Sequence, residues 1–539
     1  MHRRWRALNG ETRIGASVGW AGGSQLSDVP SRRGPFTNIG PMTARTQLSN
    51  LTDTYDALPY PGHPFPQSHP GRMAAQAVLR GLPPPAVETA RVLELGCGDG
   101  GNLVPMALGL PRATFLGIDR NEAALVRARE LAAALELTNI EFRAGDLESL
   151  ERPGRFDYVV AHGLYSWIAP RARDDLLAVA HGALTQDGLL YLSYNTKPGG
   201  HLRQVVRELM QFAAREATDA DEIVARARHA VKLVARAQQP GDVYGAFLDD
   251  YLTRVLERTD AHLFHDDLET FNDAVYVTEI VNHAARHGLR FLAEADLHES
   301  SMGNLPPGTA DALDELEPRT EVEQEQALDF LRLRMYRQTL FTLDGAEQPQ
   351  IPDPRNVDAL HAYASLRPSD PHATLHDESL VEFADRHGAR LSTDHPAVKL
   401  ALAKLAGAWP GPVRVADLTA ASDDAGALRQ AVLGGHAAGL VALTAHPPRI
   451  AAAPGDKPRA SPLARAQAAA GADEVTNLKH ERIPVAEDMG KGLIALLDGT
   501  RDREALTRAM RDGGAGAVPG IAASLARLTD LGLLVGEQR

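Results

Sequence analysis

The chain has 539 residues, 44% hydrophobic and 23% charged, a globular balance that excludes wholesale disorder and a fibrous repeat and predicts several cores. A formal charge of −14 disfavours nucleic acid as a partner, and the single cysteine, Cys97, excludes an intrachain disulfide or a cysteine-built zinc site and fits a cytoplasmic setting. No apolar run reaches the roughly 18–20 residues that cross a bilayer, so no membrane span is expected.

Residues 1–41 hold seven glycines, six arginines and two acids without periodicity, and are expected to form a disordered extension. No apolar segment follows Arg3, Arg4 and Arg6, which argues against export, and Met42 is the expected natural start. From residue 91 short aliphatic runs alternate with amphipathic stretches, the pattern of βαβ units and a parallel sheet. Strands are expected at 91–95, 114–119, 140–144, 158–161 and 189–194, with a helix over 121–137 among those between them, in a core domain at 42–200. Beyond it, Leu202, Val205, Val206, Leu209, Met210 and Ala213 recur at helical intervals, so 201–259 reads as a helical insertion. A helix at 276–287 and strands at 289–293 and 335–342 should return to the same sheet, completing a segment over 201–345. Pro349, Pro352 and Pro354 then open a loosely ordered linker at 346–394 with a helix or two. In 395–539 a pattern of helices ending in a short strand occurs twice, which predicts tandem winged-helix-like units. These are not notably basic, so docking or packing suits them better than DNA binding.

The chemistry concentrates in Glu94-Leu95-Gly96-Cys97-Gly98-Asp99-Gly100-Gly101-Asn102, between the first strand and its helix. Its glycines let the backbone turn tightly and approach a nucleotide-like ligand, and alone they fit a dinucleotide equally well. The acids decide. Glu94 suits a ligand bearing an ammonium and a sulfonium rather than a pyrophosphate. Asp119, ending the second strand, can accept both hydroxyls of a ribose, with Arg120 beside it. Asp146, after the third strand, is placed for an adenine amino group, with Leu147 beside the ring. Gly96, Gly98, Gly100 and these acids together predict a site for S-adenosyl-L-methionine. Cys97 reads as a small filler among the glycines.

The stretch 91–146 resembles class I S-adenosylmethionine-dependent methyltransferases. The motifs Tyr55-Asp56-Ala57-Leu58-Pro59-Tyr60-Pro61, His162-Gly163-Leu164-Tyr165-Ser166-Trp167 and Ser193-Tyr194-Asn195-Thr196 extend the likeness to bacterial enzymes that carry a methyltransferase regulatory domain. His265-Asp266-Asp267-Leu268, Asn477-Leu478-Lys479-His480-Glu481 and Leu497-Asp498-Gly499-Thr500 carry it through the insertion and into the tail. The resemblance implies a Rossmann-like α/β sheet with a helical insertion. It also implies a protein substrate, since well-known relatives methylate lysines of bacterial outer membrane proteins. Gly200 stands where relatives often have tryptophan, which alters the lip of the substrate pocket.

Methyl transfer from a sulfonium is an in-line displacement that needs alignment and a neutral nucleophile more than a strong base. Tyr165, Tyr194 and Asn195, at the carboxyl ends of the fourth and fifth strands, are the candidates for orienting an incoming amine, with His162 contacting cofactor and Tyr60 and Trp167 walling the pocket. His283 and His287 share an i, i+4 spacing but lack the intervening acid of His-Glu-x-x-His, so surface histidines and no metal are expected. The insertion is expected to cover the cleft or to mediate self-association, as in a homodimer. A small-molecule methyltransferase and a non-catalytic S-adenosylmethionine-binding docking protein are the alternative functions.

Overall fold

The aliphatic runs of the first half become seven strands in the order β3-β2-β1-β4-β5-β7-β6 in the computed structural model. These are β1 (Arg91–Leu95), β2 (Thr114–Asp119), β3 (Ile140–Ala144), β4 (Phe156–Ala161), β5 (Leu184–Asn195), β6 (Leu289–Glu294) and β7 (Tyr336–Leu343). The first five pair in parallel, whereas β7 runs antiparallel between β5 and β6. The structure describes residues 62–150, 153–239, 241–269, 271–301, 305–306, 308–347, 351–485, 488–512 and 520–536. The expected extension at 1–41, the Tyr55 to Pro61 motif and Tyr60 lie outside the described residues.

Parallel strands covered on both faces carry apolar residues at successive positions, and Val92, Leu93 and Leu95 of β1 are fully buried. One face packs on the helices Leu103–Gly109 and Glu122–Ala134, the other on Pro170–Ala183 and Val277–Arg286. Because the chain crosses from β3 at one edge to β4 on the other side of β1, the strand order reverses beside β1 and opens a crevice at the carboxyl ends of the strands, where doubly wound sheets bind ligands. The helices Gly199–Ala214, Ala220–Arg236 and Val243–Glu257 form the insertion around a core of their own that includes Val206, Met210, Val231 and Leu248.

The expectation of a loose linker at 346–394 is corrected. Residues 354–393 contain a 3-10 helix and four short strands, and Leu360, Ala362, Leu366 and Phe383 join one core with the helices Pro396–Ala408 and Ala425–Ala437. Runs of two to four residues carry too little alternation to stand out between prolines and acidic loops. The strand His361–Tyr363 is central, paired on one side with Val413–Arg414 and on the other with Ala442–Thr444. A second unit follows, with the helices Pro462–Ala469, Asp488–Leu496, Arg503–Asp512 and Ile521–Asp530 around the hairpin Glu474–Thr476 and Arg482–Pro484.

The helix Pro70–Leu79 ties these parts together. Met73, Ala74 and Ala77 enter the core beside the sheet, while Ala75 and Leu79 enter that of the first C-terminal unit. The first C-terminal unit is thereby seated against the sheet, and the second reaches the glycine loop through His480, as described below.

Candidate active site

Gly96, Gly98 and Gly100 all have positive φ (74°, 52° and 77°), so the loop after β1 needs glycine at each. They do not share one role. A side chain on Gly98 would meet nothing within 4 Å, which leaves a bare backbone facing open space, whereas one on Gly100 would sit 2.9 Å from Phe142. At Gly100 the absence of a side chain therefore also serves packing. Asp119 holds the loop by accepting from the Gly98 amide at 2.8 Å, and its other oxygen accepts from the Asn121 amide at 2.8 Å. Each oxygen keeps a lone pair for a further donor.

Glu94 is 3% exposed, and Oε1 accepts from Asn102 Nδ2 at 2.7 Å. Its Oε2 is buried and has no hydrogen-bond partner among the described residues. Burial pushes the carboxyl up to about 8 against the opposing pull of the Asn102 hydrogen bond, and the charges of Asp119 and Asp99 push the same way. A buried, unpartnered carboxylate oxygen calls for a cation. The amino-acid end of S-adenosylmethionine supplies one, so the residues present fit that ligand. Asp146 is exposed at the end of the loop after β3, accepting from the Glu148 amide at 3.1 Å, and Leu147 packs partly against the sheet. Arg120 is exposed, and Cys97 is buried with its thiol pushed up by burial, as a filler would be.

His162, after β4, lies between Phe65 and Tyr191, stacked on the Phe65 ring with centroids 3.3 Å apart and bonded through Nδ1 to the Tyr191 hydroxyl at 3.0 Å. Burial lowers its pKa to about 3, so it is neutral at physiological pH. Beside it, at the carboxyl end of β5, a cavity of about 380 Å³ is lined by Asn195, Lys197, Gly200, Arg203, Arg207 and Asp273, among others. Asn195 donates to Asn272 Oδ1 at 2.6 Å. A side chain on Gly200 would come within 2.5 Å of the Ala274 methyl, so the small residues at both positions fit each other and shape this lip.

Residues 87–259 match the family described as a methyltransferase domain, 259–342 the predicted methyltransferase regulatory domain, and 456–523 the PKMT C-terminal winged helix domain. Residues 87–259 thus carry a methyltransferase domain. The solved structure of PKMT2 from Rickettsia typhi superposes with a TM-score of 0.79 at 25% identity, over 89% of this chain and 100% of that one. Its complex with AdoHcy superposes equally, at 24% identity. An uncharacterized protein of Rickettsia prowazekii, RP789, is 33% identical over 288 residues, which are 53% of this chain and 52% of that protein. The chain thus spans about half the length of that relative.

Two candidate residues do not reach the cavity, which corrects the expectation for them. The Tyr165 hydroxyl meets His283 Nδ1 at 2.8 Å, and that of Tyr194 meets Thr339 Oγ1 at 2.9 Å, both among buried groups. Burial pushes the phenol of Tyr165 up to about 12 and that of Tyr194 higher still. Successive strand residues alternate between faces, so Tyr194 turns into the core while Asn195 turns to the cavity, and Tyr165, in the 3-10 turn Tyr165–Trp167 beyond β4, packs into the same core. Trp167 is half-buried in a 3-10 turn. His283 is likewise no surface residue. Its Nε2 and that of His287 each lie 3.0 Å from Asp174 Oδ1, so an acid on another helix completes what the sequence spacing lacked. Among the described residues these three form the one group whose donor atoms are gathered closely enough to hold a metal ion, and their mutual hydrogen bonds account for the arrangement without one.

Sequence reasoning missed Asn102. It stands at the N-cap of Leu103–Gly109, where an asparagine ordinarily accepts a helix N–H, yet it makes no capping bond. Its Oδ1 instead accepts from the Phe65 amide at 2.9 Å, and its Nδ2 holds Glu94. An asparagine closing a glycine loop eight residues after a buried acid was the available signal.

Proposed function

We propose that this chain transfers methyl groups from S-adenosylmethionine to lysine side chains of a protein. The observation that carries the reading is the unpartnered Glu94 Oε2 beneath the glycine loop, and the likeness to PKMT2 supports a protein as acceptor. In this reading Glu94 takes the ligand's ammonium, Asp119 its ribose hydroxyls, and Asp146 with Leu147 its adenine. Gly98 leaves room for close approach, Gly96 with its positive φ makes the turn that presents it, and neutral His162 packs beside the site. The bound cofactor supplies a methyl group on sulfur that is open to in-line attack.

Asn195 orients the acceptor from the cavity at the end of β5. A free lysine amine costs about 4.6 kcal/mol to deprotonate at pH 7 from a pKa near 10.4. The cations that line the cavity are paired, Lys197 with Glu279 and Arg203 with Asp267, so desolvation of the amine is what favours its neutral form over the ammonium. Holding it in line with the methyl group supplies about 7–11 kcal/mol.

Incubating the purified chain and radiolabelled S-adenosylmethionine with a bacterial lysate tests this. Label is expected in protein bands and, after hydrolysis, in methyllysine. Label confined to small solutes contradicts a protein acceptor, and no label despite measurable binding contradicts catalysis.

A further inference from the structure

We infer that His480, carried by the C-terminal winged-helix unit, is a positioning residue for the carboxylate that receives the cofactor's ammonium, so the docked C-terminal unit is part of the cofactor site. The inference rests on the reading of Glu94 given above and adds its dependence on a remote domain.

Three hydrogen-bonded side chains make the connection. His480 Nε2 donates to Asn102 Oδ1 at 2.8 Å, and Asn102 Nδ2 donates to Glu94 Oε1 at 2.7 Å. All three are at most 5% exposed, so water does not compete for these bonds. Glu94 requires the NH₂ of Asn102 on its side, which leaves the amide oxygen facing the N–H groups of Phe65 and His480. Without the imidazole, the amide of Asn102 loses one of the donors that fix its plane, and the Glu94 carboxyl loses its aim.

The C-terminal unit is built to present this ring. His480 has φ 62°, a left-handed conformation that costs a non-glycine residue on the order of 1 kcal/mol and persists where surroundings impose it. Asn477 Oδ1 imposes it by accepting from the amides of both Lys479 and Glu481 at 2.9 Å. Lys479 anchors the same turn, its ammonium 4.3 Å from the centroid of the Trp409 ring and 3.0 Å from Glu481. Burial, with His69 and Arg72 nearby, keeps the imidazole uncharged. A packing residue would not need two polar atoms and a strained turn to reach an asparagine 378 positions away.

The test uses the full chain and two ligands that differ only at the end Glu94 would hold. S-adenosylhomocysteine has the amino-acid group, and 5′-methylthioadenosine keeps the nucleoside and sulfur without it. By calorimetry, His480→Ala is expected to weaken S-adenosylhomocysteine about tenfold, the scale of one hydrogen bond to a charged group, and to leave methylthioadenosine unchanged. His480→Gln, which can offer an N–H from a similar position, is expected to recover most of the loss. In a Glu94→Gln background, His480→Ala is expected to add little. Equal weakening of both ligands, or of neither, overturns the inference. If His480→Ala does not fold, Asn102→Ala decides by the same ligand comparison. Failure of the unmodified chain to bind either ligand overturns the cofactor reading itself, and the inference with it.

Discussion

Glu94→Gln is expected to weaken S-adenosylhomocysteine binding a hundredfold or more while making the ligand-free protein more stable above neutral pH. The first effect follows from removing one partner of a buried charge pair, which costs about 2–5 kcal/mol. The second follows from the raised pKa. An acid titrating near 4.5 when unfolded and at about 8 when folded contributes stability that is fully present below 4.5 and is lost as pH rises through 8. The glutamine cannot ionise and escapes that loss. For the same reason, ligand affinity of the unmodified chain should rise with pH up to about 8, because binding an ammonium requires Glu94 to give up its proton. Calorimetry at pH 7 in two buffers of different ionisation enthalpy is expected to register release of about one proton in the unmodified chain, and none in the variant. Equal affinity in chain and variant would remove Glu94 from the site.

Arg337→Met is expected to destabilise the fold by about 3–5 kcal/mol, the cost of leaving buried charges without their partner. Arg337 is 1% exposed on β7, with Nη1 2.6 Å from Glu294 Oε1, Nε 2.9 Å from Asp329 Oδ2 and Nη2 3.0 Å from Glu325 Oε2. Glu294 also accepts from Thr339, which meets the Tyr194 hydroxyl, so the network borders the strand that ends at Asn195. Its loss strands three carboxylates beside the sheet. Chemical denaturation followed by circular dichroism should show a lowered midpoint, or the variant should fail to accumulate in soluble form. An unchanged midpoint would mean that Arg334, 3.3 Å from Asp329, neutralises the cluster alone.

The sheet was legible because its signal is local. Strands β1, β2 and β3 fall at the expected residues, since near-continuous apolar runs identify the buried parallel strands β1 and β2, and β3, at the sheet edge, alternates apolar with charged residues. The helix Glu122–Ala134 ends three residues short of 137, with Glu136 at φ 55°, as its last apolar residues pack beyond the helix. Glu94 and the glycine loop could be read for the same reason, because loop chemistry and strand position sit in one short motif. What escaped depends on contacts between distant segments. Tyr165 and Tyr194 carry polar atoms that point into the core only because His283 and Thr339 arrive from elsewhere. The strands at 361–393 are too short to declare themselves without their partners. Asn102 was quoted as part of a motif but had no visible role until His480 and Phe65 were brought to it.

The most direct measurement of the cofactor site is a crystal structure of the full chain with S-adenosylhomocysteine. The account predicts the ligand's amino nitrogen within hydrogen-bond distance of Glu94 Oε2, its ribose hydroxyls at Asp119, and the His480 to Asn102 to Glu94 bonds intact. Ligand density away from the glycine loop, or at the loop with Glu94 still unpartnered, would contradict it.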